Sequence, residues 1–191
     1  MKMTKRIFDI VLSSSLLMMA LPLCFLVSII IKLSSPGPIL HWSNRIGVGN
    51  RAFLMPKFRS MIVGTPEISS ERLKSPEKYL TLTGKILRMT SFDEVPQFFS
   101  VLIGDMSLVG PRPALSNQVS LIKKRTELGI SNISPGITGL AQVKARDNLN
   151  DVEKIALDLE YLKKMSLLLD VKILFLTIGV CFRKSKHKSK L

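Results

Sequence analysis

The chain has 191 residues, room for one domain of ordinary size and hardly two. It carries 28 Lys and Arg against 14 Asp and Glu, a net +14 that calls for a polyanionic partner: nucleic acid, anionic lipid or a phosphorylated substrate. With 46% hydrophobic residues and a mean hydropathy of +0.27, it is too apolar for an ordinary soluble nucleic-acid binder, so a membrane partner moves ahead.

From Ile7 to Ile31 the sequence reads IFDIVLSSSLLMMALPLCFLVSIII, whose only charge is Asp9. About 20 apolar residues suffice to cross a bilayer core. Lys2, Lys5 and Arg6 precede this segment; Lys32, Arg45, Arg51, Lys57 and Arg59 follow it. Basic flanks stay on the cytoplasmic side, and here both ends carry them. Pro22, near the middle, removes a helical hydrogen bond. Two readings stay open at this point: a single kinked span, or a helix that enters the membrane and returns to the same face. No small-residue cleavage site follows, so a signal peptide fits poorly. Cys24 and Cys181 lie in apolar runs without metal-ligand spacing and read as packing or lipid-facing thiols.

SSPGPIL is a turn, and HWSNRIGVGNRAFLMPKFRSM predicts a hairpin around Gly47-Val48-Gly49. Strand alternation would put Lys57 and Arg59 on one side, where they could grip a phosphate; a solvated face is the plainer alternative. His41 reads as a turn residue and Trp42 as an interfacial anchor. Residues 64–80 predict a surface loop and a short helix. Ser91 or Asp93 could cap a helix through Val95 to Ile103, with Pro96 in its first turn and Gly104 ending it. Asp93 and Glu94 would then stand among free amide donors, with Arg88 and Arg112 near in sequence, a setting that suits phosphate. From spacing alone, these acids either cap a helix or do chemistry.

Further on, LAQV predicts a strand before a loop with Lys144, Arg146 and Asp147, and DVEKIALDLEYLKKM (151–165) predicts a helix. SLLLDVKILFLTIGVCF (166–182) is interrupted by Asp170 and Lys172, so its clean run is too short to span and suits a helix lying in the interface. RKSKHKSK supplies a basic tail, each cation worth about 1 kcal/mol near an anionic leaflet. It lacks the interleaved aromatics of a nucleic-acid binder, so no nucleic-acid partner is expected.

KRIFDIVLS, SPGPIL, KFRSM, LRMTSFDEVPQFFSVLIGDMSLVGPRP, PGITGLAQV and LLLDVKILFLT occur in this order. Together they resemble the monotopic phosphoglycosyl transferases, also called bacterial sugar transferases or undecaprenyl-phosphate sugar phosphotransferases. The resemblance runs from about Lys5 to Arg183 and looks like the minimal catalytic form. It implies an α+β, mostly helical fold with three parts: a re-entrant membrane helix broken at Pro22 (residues 1–35), a catalytic domain with a short β-hairpin and interfacial amphipathic helices (36–182), and a basic tail (183–191). The implied place is the bacterial inner membrane, with the catalytic domain on its cytoplasmic face.

The implied activity is transfer of a phosphosugar from a UDP-sugar to undecaprenyl phosphate, releasing UMP, through an aspartyl-phosphosugar intermediate with Mg2+. By position, Asp93 would be the nucleophile and Glu94 the magnesium ligand. Lys57, Arg88 and Arg112 fall in the family's basic positions near phosphates, with Arg59 beside them. Arg146 matches the arginine of the loop after AQV, and Asp158 the acid of LDLEY. Anionic lipids are expected partners, and the resemblance leaves room for a homodimer. LDLEYLKKMSLLLDVKILFLT leans toward members handling acetamido or diacetamido sugars. The chain departs from the family pattern at Leu21 (usually Ser before the proline), Ser100 (Asn), Leu140 (Trp) and Lys144-Ala145-Arg146 (Asn-Gly-Arg). The rival reading is a non-catalytic scaffold of a polysaccharide machine, which would tolerate loss of the Asp-Glu pair.

Overall fold

The computed structural model describes residues 2–66, 75–144 and 149–188. Helix α1 (Lys2–Ser34) runs through Pro22 as one helix. Its two ends are bound to the rest of the chain. Near the start, Asp9 and Ser13 are buried, and Phe8 and Leu12 pack on the main core. Near the end, Ile31 is buried with Phe58 and Leu87, with Cys24 and Val27 packed alongside. Between these contacts Met18, Met19, Leu21, Leu23, Phe25 and Leu26 stay exposed. The helix is long and apolar enough to cross a membrane.

Arg59 is buried after the first hairpin and donates to the carbonyls of Ser35 and Pro36 at 2.7 and 3.0 Å, holding the turn that leaves α1. Gly37 has φ +122°, and a Cβ there would strike the Arg59 guanidinium, so glycine is needed twice over. The hairpin forms as expected: β1 (Leu40–Ile46) and β2 (Ala52–Phe58) pair antiparallel with His41 opposite Lys57. Short β4 (Ala114–Leu115) adds to the other edge of β1, giving the order β2-β1-β4. A second, parallel pair joins β3 (Ser107–Val109) to β5 (Gly136–Thr138).

The helices depart from expectation in three places. α2 (Leu82–Thr90) stops at Ser91, whose φ of 57° turns the chain. A 3-10 turn over Phe92–Glu94 follows, and only then α3 (Gln97–Ile103), which Gly104 ends. Asp93 and Glu94 therefore sit in a turn between two helices, and neither Ser91 nor Asp93 caps α3. The reason is local: Glu94 and Val95 amides bond back three residues, and Pro96 has no amide to give. LAQV is helical, not a strand: α5 (Leu140–Lys144) buries Leu140 and Ala141 against later helices, and packing overrides the propensity of one valine. The last helix, α7 (Leu167–Lys188), continues beyond residue 182 into the basic segment.

α4 (Val119–Glu127) packs on the turn at Ile130–Asn132 and on α6 (Asp151–Lys164), which opens with an Asn150–Glu153 capping box. The main core gathers Met55, Val101, Met106, Leu108, Val109, Leu140, Tyr161 and Ile173. Apolar side chains remain exposed on α2 (Leu82, Ile86), α3 (Phe99, Ile103) and α7 (Leu168, Phe175, Ile178).

Candidate active site

Three pieces of chain converge on Asp93 and Glu94. Thr81 caps α2 by accepting from the Gly84 amide at 2.9 Å, and its own amide donates to the Ser60 carbonyl. Gly84 lies against that same carbonyl so closely that a Cβ would meet it at 1.9 Å. α2 is thereby laid on the exit of β2, and Arg88 reaches Ser60 Oγ at 3.1 Å. Below it, the rings of Phe58 and Phe92 stack with centroids 6.2 Å apart, fixing the turn that bears the two acids.

The second piece is β2, whose Lys57 Nζ donates to Glu94 Oε1 at 2.9 Å. The third is Gly110-Pro111-Arg112-Pro113 after β3, from which an Arg112 guanidinium nitrogen reaches the same oxygen at 2.6 Å. Gly110 is glycine because this segment touches the Ser134-Pro135-Gly136 main chain; a Cβ on it would meet the Ser134 carbonyl at 2.4 Å.

The two acids fare differently. Asp93 is buried, and among the described residues no hydrogen bond or ion pair holds its carboxylate. Burial, then the charge of Glu94, push its carboxyl up to about 6 against the pull of Lys57, Arg88 and Arg112. Burial would raise Glu94 as well, but Arg112 and Lys57 outweigh it and hold the carboxyl well below its usual range. Burial in turn lowers the Lys57 ammonium, which Glu94 partly restores. The site thus has one carboxylate fixed in the charged form by two cations, and beside it one destabilised, unbound carboxylate. An unbound anion in a cationic surrounding is well placed to meet an electrophilic phosphorus.

Of the residues expected in the site, the structure brings together Asp93, Glu94, Lys57 and Arg112, and sets Arg88 within electrostatic reach of Asp93. Arg59 is spent on the turn after α1 instead. It stands one residue beyond the end of β2, so strand alternation does not govern it. Asp158 is buried behind Arg112 and forms an ion pair with Arg125 at 2.6 Å. Burial pushes its carboxyl up against the pull of that arginine. Arg146 lies outside the described residues. Arg125 had no signal of its own in the sequence, being one cation of a basic run. Lys5, Asp170 and Tyr161 were missed too, although an acid interrupting an apolar segment was a clue: Asp170 is 1% exposed and bonds both Lys5 Nζ (2.6 Å) and Tyr161 Oη (2.7 Å).

For a metal, the described residues offer no group of three or more His, Cys, Asp or Glu. Magnesium does not need one, since it uses one or two carboxylates with water and substrate phosphates. An ionised Glu94 beside Asp93 fits that donor set.

The family model for bacterial sugar transferases matches residues 1–184. The chain is 41% identical to an undecaprenyl-phosphate glucose phosphotransferase of Komagataeibacter xylinus, over 91% of this chain and 35% of that protein. It is 39% identical to a UDP-N-acetylgalactosamine-undecaprenyl-phosphate N-acetylgalactosaminephosphotransferase of Aeromonas hydrophila, over 91% of this chain and 42% of that protein. With the exopolysaccharide production protein ExoY of Rhizobium meliloti it shares 31% identity, over 97% of this chain and 88% of the relative. The chain therefore spans well under half of the first two relatives and most of the third.

Proposed function

The chain belongs to the bacterial sugar transferase family, and from that membership we propose that it moves a sugar-1-phosphate from a UDP-sugar to undecaprenyl phosphate, releasing UMP. The observation that carries this reading is the unequal treatment of two adjacent acids: Lys57 and Arg112 bond Glu94 and hold it ionised, while Asp93 is buried with no hydrogen bond to its carboxylate among the described residues.

In the first step a carboxylate oxygen of Asp93 attacks the sugar-bearing phosphorus. A bond forms from that oxygen to phosphorus, the bridging P–O bond breaks, and UMP leaves with the electron pair. In the second, a phosphate oxygen of the lipid attacks the same phosphorus, the acyl-phosphate bond breaks, and Asp93 is regenerated. Two displacements replace one, and the acceptor need not be present during the first. Lys57, Arg88 and Arg112 offset charge on the transferring group. Glu94, with Asp93 beside it, would hold Mg2+, which supplies charge neutralisation on the diphosphate. Arg146, which follows α5 in the sequence, would serve the UDP-sugar.

The family reading also carries topology. α1 would enter the membrane and return, with the bend at Pro22 and the catalytic domain on the cytoplasmic face of a bacterial inner membrane. The supporting features are basic residues at both ends, both ends packed on the same domain, and an exposed apolar middle. The basic α7 end would favour anionic lipid. For the sugar, an acetamido or diacetamido hexose is the first choice, and relatives named for glucose and for N-acetylgalactosamine define the panel to try.

The test is to incubate the protein with each UDP-sugar and Mg2+, without lipid acceptor. The expected result is at most one UMP per enzyme and a phosphosugar mass on the peptide containing Asp93. UMP release that strictly requires the lipid, with no mass added, would overturn the covalent route.

A further inference from the structure

The ion pair of Arg125 and Asp158 has no part in the chemistry above, yet it points at one spot. Arg125 donates from Nε and Nη2 to Asp158 Oδ2 at 3.0 and 2.6 Å, and from Nη1 to the Arg112 carbonyl at 2.8 Å. The pair is nearly closed to water, with side chains 11% and 2% exposed. Replacing such a pair by packed apolar residues is often neutral or stabilising, so stability alone is a weak reason for it. Geometry is a better one. The planar guanidinium holds a carboxylate along one edge and leaves another donor for a carbonyl, which an ammonium on a single point cannot do as well.

The carbonyl it holds is the one that matters. The Arg112 side chain is 41% exposed. Its main chain, by contrast, is tied on every side. Gly110 N donates to Thr138 O at 2.9 Å, Pro111 O accepts from Gly136 N at 2.9 Å, and Pro113 O accepts from Arg45 at 3.1 Å. We propose that Arg125, oriented by Asp158, is a positioning residue: it fixes the Arg112 main chain so that the Arg112 guanidinium is delivered to Glu94. This deepens, and rests on, the reading of Glu94 and Arg112 as parts of the phosphosugar transfer site.

A double-mutant cycle on the full chain in lipid nanodiscs tests it, reading UMP release from the preferred UDP-sugar over hours so that residual rates register. Arg125→Met is expected to lower the rate about 10- to 100-fold, the scale of a misplacement near 1 Å. In an Arg112→Ala background the same change is expected to cost less than about twofold, because the group it positions is gone. Arg125→Lys, which can keep the Asp158 ion pair but not both contacts, should melt like wild type and regain only part of the rate. Equal fold losses in both backgrounds would show a merely structural role and overturn the proposal, as would Arg125→Met at wild-type rate. Arg112→Ala at wild-type rate would instead bring down the reading of the site, and this proposal with it.

Discussion

Two neighbouring carboxylates in a poorly hydrated turn cannot both be comfortable as anions. In this protein Glu94 takes Lys57 and Arg112, and Asp93 bears the cost, its carboxyl raised from 3.8 to about 6. A raised carboxyl means that the folded state keeps its proton longer than the unfolded state does. The contribution of Asp93 to stability is therefore most favourable below about pH 4 and falls as pH rises between about 4 and 6; at neutral pH the charged Asp93 costs about 3 kcal/mol. Asp93→Asn should accordingly melt at higher temperature than wild type at pH 7.5 without added metal. That gain should fade as the pH is lowered below about 4, while turnover is lost throughout. A thermal melt that does not rise at neutral pH would mean the carboxylate is not destabilised. Glu94→Gln has the opposite sign: it removes the carboxylate charge that Lys57 and Arg112 both bond. It should cost on the order of 2 kcal/mol, the worth of hydrogen bonds to charged groups, as well as turnover. Chemical denaturation of the two single variants side by side checks both signs.

At the scale of elements, α1 is apolar enough to leave for the lipid, yet its first three turns are held by polar contacts. Lys5 Nζ meets Asp170 Oδ2 at 2.6 Å and the Val109 carbonyl at 3.1 Å, Asp9 accepts from the Leu108 amide at 3.2 Å, and Arg6 donates to the Val101 and Leu102 carbonyls. Tyr161 closes the group from α6 by donating to Asp170. These bonds join α1, α6 and α7 to β3, immediately before the Gly110–Pro113 segment. Asp170→Leu alone should cost about 3–5 kcal/mol by stranding Lys5, and Lys5→Met with Asp170→Leu should recover most of it. Equal losses in the single and double variants would show that the ion pair is not what anchors the helix. The membrane course of α1 has its own test. With Cys24 and Cys181 removed, single cysteines at Met3 and Asn44, both exposed, should resist an impermeant thiol reagent in intact cells. Pro22→Ala should straighten the helix and make one of them reactive. Labelling of either position in the Pro22 protein would rule out a return to the same face.

In the whole molecule, the apolar surfaces of α1, α2, α3 and α7 accompany a site built from a turn, a strand and a loop. Much of this was legible in the order of residues. The apolar segment with its central proline, the hairpin about Gly47–Gly49, the helix from Asp151 and the Asp-Glu pair all rest on local composition or on a long uninterrupted motif. The turn at Ser91 and the helical LAQV were not legible, because a positive φ at a serine and the burial of α5 are imposed by neighbours distant in sequence. The sequence by itself determined the family, the acids that stand at the centre and the apolar helix, since periodicity, charge and motif need no partner to be read. The resemblance named Lys57, Arg88 and Arg112 as a group, but only the tertiary structure decided which acid each cation bonds and set Arg59 apart from them. Glu94 meets Lys57 across 37 residues and Arg112 across 18, Arg125 meets Asp158 across 33, and Lys5 meets Asp170 across 165. In a chain with 28 basic residues, charge alone cannot choose among them; the path of the backbone makes the choice.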